Sequence, residues 1–182
     1  ALMNYRVPYR IVGGVRFYER KEIKDLMAYL RLVHNPMDSV SLKRIINVPV
    51  RSIGPTTLGK LEAFAQEEDI PLYDALRRVD EIDIQPKPKR AIKELSALLV
   101  FLHEKREEYS VGKLLMEVVE NTGFLTELKK AGTREADSRI ENVRELFSVI
   151  EEFENTSEDR SLRAFLEQVA LVTDIDNLEE GE

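Results

Sequence analysis

The sequence predicts a mainly α-helical protein, an irregular multi-helix domain with one short strand near its N-terminus. Three observations carry that expectation. Apolar residues recur at i, i+3, i+4 spacing in most windows of the chain. Capping residues and Gly or Pro stops separate those windows. A β-type run occurs once, at Tyr9, Ile11 and Val12, where Gly13-Gly14 closes it. Of the 182 residues, 43% are apolar, enough for a buried core, and 34% are charged, which suits helices with much exposed surface.

Residues 1–6 read as a helix end leading into the strand. The spacing of Ile23, Leu26, Met27, Leu30 and Val33 predicts a helix over 19–34, which Asn35-Pro36 stops. Asp38 or Ser39 can cap a short helix that Asn47-Val48-Pro49 breaks. After Gly54, Pro55 fits the first position of a helix through Asp69, where no amide is needed. Pro71 opens a shorter helix to about Val79. Residues 80–89, with two prolines and alternating charge, read as a linker.

Beyond it the pattern is helical throughout. Ile92, Leu95, Leu99 and Leu102 mark a helix over 90–109. Ser110 caps the next, with Leu114, Leu115, Val118 and Val119 on its apolar face, and Gly123 interrupts it. Ala131-Gly132 stops a short segment, and Thr133 caps a long helix lined by Ile140, Val143, Phe147 and Ile150. A last helix carries Leu162, Phe165, Leu166 and Val169. The tail from Thr173 holds five acidic and no basic residues, and reads as disordered or as an acidic connector.

Cysteine is absent, which excludes disulfides and thiolate metal sites and fits a reducing cytosol. No apolar run approaches the ~18 residues of a membrane span, and no secretory signal opens the chain. A cytoplasmic location is therefore expected. Residue 1 is alanine and the chain opens inside a helical pattern, so it is expected to be a piece of a longer protein. The net charge of −7 hides a division. Residues 1–60 carry 11 Lys and Arg against 4 Asp and Glu, a net of +7, whereas residues 61–182 carry 16 against 30, a net of −14. A basic front of this size points to a polyanion on that side, or to a segregated solvated surface.

Catalytic signals are missing. No GxxxxGK[ST] loop is present to cradle phosphates. His34 and His103 are far apart, without ligand spacing around either, and read as plain helix residues. The acidic residues, such as Glu117, Glu120, Glu151 and Glu152, fall at solvated helical positions, and no nucleophile stands with a base. Neither a catalytic group, a metal nor a cofactor is expected within these residues.

Two segments can carry binding. In residues 47–60 a short helix ends, Ile53-Gly54 turns, and a new helix starts at Pro55. The first amides of a helix lack intrahelical partners, and the dipole places roughly half a positive charge there. Gly54 allows close approach, Thr56 and Thr57 can donate hydroxyl hydrogens, and Arg51 and Lys60 add full charges. Such a corner can hold a duplex phosphate without reading bases, or it can be a structural turn with Ile53 buried. The second segment, residues 13–25, is basic with adjacent aromatics at a strand-to-helix junction. Phe17 and Tyr18 can stack on single-stranded bases beside arginine, or anchor the strand to the helix.

The run VPYRIVGGVRFYERKEIKDLMAYLRLVHNPMDSVSLKRIINVPVRSIG resembles the superfamily 1 DNA helicases of the UvrD/PcrA/Rep group, and SRIENVRELFSVIEEFE and SLRAFLEQVALVTDID extend the resemblance over nearly the whole chain. It implies the end of the RecA-like 2A domain and its junction over 1–25, the helical 2B subdomain over 26–172, and an acidic connector over 173–182. The parent would be an ATP-dependent 3′–5′ helicase serving repair or replication, with its ATP and Mg sites outside these residues. The partners implied are duplex DNA, single-stranded DNA at the N-terminal junction, and the remaining helicase domains.

The family's Gly-Ile-Gly turn, usually preceded by Arg, meets the duplex backbone. The matching residues are Arg51, Ser52, Ile53 and Gly54, in a site resembling a helix-hairpin-helix. Ser52 replaces the first glycine and would tolerate a positive φ less well. The match also puts Arg16, Phe17 and Arg20 near the single-strand path or the 2A–2B junction. A competing expectation is that the acidic helices dock a protein partner and regulate the helicase, with DNA contact incidental.

Overall fold

The computed structural model describes the backbone of residues 15–179 and the side chains of residues 16–174. The expected helix end over 1–6 and the strand at Tyr9, Ile11 and Val12 lie outside the described residues. Among those described there are ten α-helices and no strand. They are α1 (Val15–Glu19), α2 (Lys21–His34), α3 (Ser39–Ile45), α4 (Pro55–Glu68), α5 (Leu72–Arg77), α6 (Pro86–Lys105), α7 (Val111–Thr122), α8 (Phe124–Lys130), α9 (Arg134–Thr156) and α10 (Leu162–Glu179). A 3-10 turn at Val79–Glu81 joins α5 to the segment before α6.

Local chemistry sets the helix ends. The Asp38 carboxylate accepts the Ser41 amide at 3.0 Å and the Ser41 hydroxyl at 2.7 Å, satisfying the start of α3. Ser110 and Thr133 do the same for α7 and α9, each accepting an amide three residues on at 3.1 Å. Gly123, at φ 70°, turns α7 into α8. Glu154, reaching across from α9, accepts the Gly112 amide at 2.9 Å and so satisfies a second donor at the start of α7.

Packing is organised around α2. Ten of its fourteen residues are buried, and it touches α1, α3, α6, α7, α9 and α10. A helix buried nearly all round must sit inside the fold, not on its surface. The expected stripe of Ile23, Leu26, Met27, Leu30 and Val33 is buried, as are Ile92, Leu95, Leu99 and Leu102 on α6 and Leu114, Leu115, Val118 and Val119 on α7. The rings of Phe153 and Phe165 meet edge to face at 5.3 Å, joining α9 to α10. His34 is exposed. The Nδ1 of His103 hydrogen-bonds the Val33 carbonyl at 2.7 Å, tying α6 to the end of α2.

Two expectations require correction. The supposed linker over 80–89 is largely structured. Val79, Ile82 and Ile84 are buried, and α6 already starts at Pro86, because Pro86 and Pro88 fall in a first turn whose amides need no intrahelical partner. The acidic tail is helical as far as Glu179, as the continuation of α10.

Candidate nucleic-acid interface

The segment between α3 and α4 is a folded loop with its own internal bonding. The Asn47 side-chain carbonyl accepts the Arg51 amide at 2.8 Å and the Ile53 amide at 3.2 Å. One side chain thereby fixes both ends of the turn, in the way Asx side chains organise loops. The Val48–Pro49 peptide is cis. Val50 is 75% exposed, while Ile53 is 2% exposed and plugs the loop into the core.

Ser52 takes φ 66°, in the left-handed region where glycine is favoured. The serine therefore holds a backbone conformation that a glycine would adopt without strain. Left-handed backbone at a non-glycine residue costs about 1–2 kcal/mol. Gly54, by contrast, sits at φ −86° and ψ −176°, extended backbone open to any residue. A Cβ there would meet nothing within 4 Å. Among the described residues nothing requires this glycine, and the space where its Cβ would stand is open.

Beyond Gly54 the helix start is uncapped. Pro55 has no amide, and the first backbone bond of α4 runs from the Leu58 amide to the Gly54 carbonyl at 3.0 Å. Among the described residues, the amides and hydroxyls of Thr56 and Thr57 have no acceptor or donor partner. Thr56 is exposed and Thr57 half-buried. Two unpaired amides at the positive end of a fourteen-residue helix, next to the open space at Gly54, are an arrangement that can accept an anion.

The two cations expected here are placed differently. The Lys60 amine donates to the Asp83 carbonyl at 2.8 Å, holding α4 to the segment before α6 while leaving the side chain exposed. The Arg51 guanidinium turns inward. It donates to the carbonyls of Ile45 and Ile46, each at 3.3 Å, to Val48 at 2.9 Å, and to the Tyr29 hydroxyl. The Tyr29 hydroxyl in turn donates to the Val48 carbonyl. Arg51 thus closes the C-terminal end of α3, where carbonyls lack partners and the dipole favours a cation. Burial pushes the Tyr29 hydroxyl above the ordinary tyrosine range, and the Arg51 charge opposes that shift.

The second expected cluster lies at the α1–α2 junction. Phe17 is 2% exposed, with its ring edge to face against Tyr18. Its buried ring offers no free face to a base, and the strand it was expected to anchor lies outside the described residues. Arg20 lies over the Phe17 ring at 5.6 Å and donates to Asn142 on α9, with Glu145 at 3.6 Å. Asn142 in turn donates to Glu22. Arg16 is exposed. No hydrogen bond among the described residues links this cluster to the 47–60 segment, but Glu22 lines the same cavity as Asn47, Val48, Pro49 and Val50. Asn47 and Tyr29 escaped the sequence reading. Asn47 registered only as a helix breaker, although an Asn before a Val-Pro step is a signal for side-chain control of a turn.

A chain of this architecture, nearly all helix and without a nucleotide loop, matches one family along its length. The profile of the UvrD-like helicase C-terminal domain matches residues 1–181, and the chain belongs to that family. It is 40% identical over 181 residues to the ATP-dependent DNA helicase PcrA of Bacillus subtilis, a match covering 100% of this chain and 24% of that protein. It is 38% identical over 176 residues to the PcrA helicases of Staphylococcus aureus and Staphylococcus epidermidis, covering 96% of this chain and 24% of each. The chain thus spans about a quarter of the length of these relatives. No helix among the described residues is long and apolar enough to cross a membrane, and no cluster of His, Cys, Asp or Glu among them could hold a metal ion.

Proposed function

We propose that this chain is the duplex-contacting, regulatory 2B subdomain of an ATP-dependent 3′–5′ DNA helicase. Residues 1–25 form its junction with the RecA-like 2A domain, residues 26–172 the 2B body, and residues 173–182 an acidic connector that starts as the last turns of α10. ATP and Mg bind the parent protein outside this chain, which on its own hydrolyses nothing. The α3–α4 corner acts as a helix-hairpin-helix-like clamp on one duplex phosphate, in a helicase that serves repair or replication. Arg16 and Arg20 lie toward the single strand at the junction with the other helicase domains.

The observation that carries this reading is the start of α4. It is presented by a bonded turn and left uncapped, with open space where a side chain at Gly54 would stand. Membership of the UvrD-like family and similarity to ATP-dependent DNA helicases support the helicase and DNA parts of this reading.

The test is Gly54→Asp. Aspartate is a good helix N-cap, so it would bond the Thr56 or Thr57 amide itself. The backbone there is extended and the Cβ is unhindered, so the variant folds at least as stably as the parent. The parent chain is expected to bind a fluorescent duplex with a Kd of roughly 10⁻⁴ to 10⁻⁶ M and strong salt dependence. The variant is expected to bind about tenfold more weakly or worse, since it sets a carboxylate against the phosphate. Equal affinity of parent and variant would sink the phosphate role.

A further inference from the structure

The sequence suggested that Arg51 grips DNA by its charge. The geometry points to another role: we infer that Arg51, with Asn47 and Tyr29, is a positioning residue that holds the Ser52–Gly54 turn in its DNA-receiving shape and does not itself neutralise a phosphate. The inference rests on the duplex-binding reading above and specifies how that site is built.

Four observations carry it. The guanidinium is aimed into the protein, where three carbonyls and one hydroxyl accept from it. Those acceptors come from the end of α3, the following loop and the middle of α2, so one side chain pins the loop to both helices. No carboxylate among the described residues lies within ion-pair distance, so the charge is balanced by the carbonyl end of α3. The Arg51 backbone amide is held on the other side by Asn47, whose same oxygen also takes the Ile53 amide. The side-chain clamp and the backbone clasp therefore meet at the residue before the left-handed Ser52. With both in place, the turn has little freedom, and the Thr56 and Thr57 amides are set outward before DNA arrives. An ordered site binds more tightly than one that must be ordered on binding.

Charge and geometry are separable by the salt dependence of binding. A lost phosphate contact makes the plot of log affinity against log salt shallower by about 0.9. A lost positioning contact lowers affinity and leaves that slope alone. Duplex affinity would be measured over a salt series for the full 182-residue chain and for Arg51→Lys, Arg51→Met, Asn47→Ala and Tyr29→Phe. Both Arg51 variants are expected to bind on the order of tenfold more weakly with an unchanged slope, because lysine keeps the charge but cannot span the four acceptors. Asn47→Ala is expected to behave in the same way, with faster hydrogen exchange at the Ile53 amide. Tyr29→Phe keeps the ring and removes only the hydroxyl, so it guards against unfolding. It should show a smaller loss, again at constant slope.

The inference is overturned if Arg51→Lys binds like the parent while Arg51→Met binds weakly with a shallower slope. It is also overturned if Asn47→Ala frees the Ile53 amide and leaves affinity intact. Gly54→Asp keeps the two levels apart. If it abolishes binding while the Arg51 and Asn47 variants bind normally, only the positioning role fails. If it changes nothing, the duplex site fails and the positioning role with it.

Discussion

α2 and α4 are the same length, fourteen residues each, and have opposite relations to the protein. α2 has ten buried residues and contacts six other helices, whereas α4 has two buried residues, Leu61 and Ala65. The difference begins in sequence. α2 carries apolar residues on more than one face, including the run Leu26 to Leu30, while α4 mixes Thr, Gly, Lys, Glu and Gln around a thin apolar stripe. What the core does not do for α4, polar links do. Lys43 pairs with Glu62 at 3.2 Å, Lys60 holds the Asp83 carbonyl, and Arg78 pairs with Glu68 at 3.1 Å while lying over the Phe64 ring at 4.9 Å. Exposed pairs of this kind each contribute little, so the proposed DNA-contacting helix is the lightly held one. A surface that must meet a partner cannot also be buried, and the fold divides the two duties between its two helices.

The comparison can be broken most directly by truncation. Leu30→Ala, at a fully buried site in α2, is expected to lower the unfolding free energy by about 3–5 kcal/mol. Leu58→Ala, at a half-buried site in α4, should lose about 1 kcal/mol. Denaturant unfolding of both variants measures the gap, and equal losses would mean that α4 belongs to the core after all.

Ser52→Gly sharpens the comparison from the other side. Removing the side chain from a left-handed position should raise stability by about 1 kcal/mol, read as a higher denaturant midpoint. Unchanged stability would mean that Ser52 does not hold that backbone conformation in solution.

The smallest effect concerns Asp25 on α2. Burial raises its carboxyl above the ordinary range, opposed by Arg44, whose Nε lies 2.8 Å away, and by Lys21, while Glu22 adds to the rise. A raised folded-state value means that the proton is held more tightly in the folded chain. Its stabilising contribution is therefore complete below the unfolded pKa of about 3.9 and is lost as pH rises through the folded value. The stability of the parent relative to Asp25→Asn should accordingly fall as pH rises from about 4. Paired unfolding curves at several pH values check the sign, and a relative gain for the parent with rising pH would contradict it.

Much of the fold was legible because helix ends are written in local chemistry. Asp38, Ser110 and Thr133 cap where their side chains predict, and Gly123 turns where glycine is expected. The start of α6 is hidden in the sequence because Pro86, Lys87, Pro88 and Lys89 look like a linker, and only the first-turn exemption from amide bonding lets them be helix. The acidic tail was misread because its composition concealed the continuation of α10. At the candidate site, the position of the turn and the uncapped helix start were legible. The direction of Arg51 was not. Its acceptors are backbone carbonyls three, five and six residues back and a tyrosine on another helix, and side-chain periodicity says nothing about either.

The burial of α2 has a mechanical consequence. Near its start, Arg20 and Glu22 are latched to α9 through Asn142. Farther along, Tyr29 is latched to the Asn47–Arg51 loop. At 1.5 Å per residue, Glu22 and Tyr29 stand about 10 Å apart on one shaft. The shaft contains no glycine or proline at which to bend, and its neighbours leave it no room to bow. Torque applied where the chain enters at α1 is therefore expected to reach the loop before α4 as a rigid displacement.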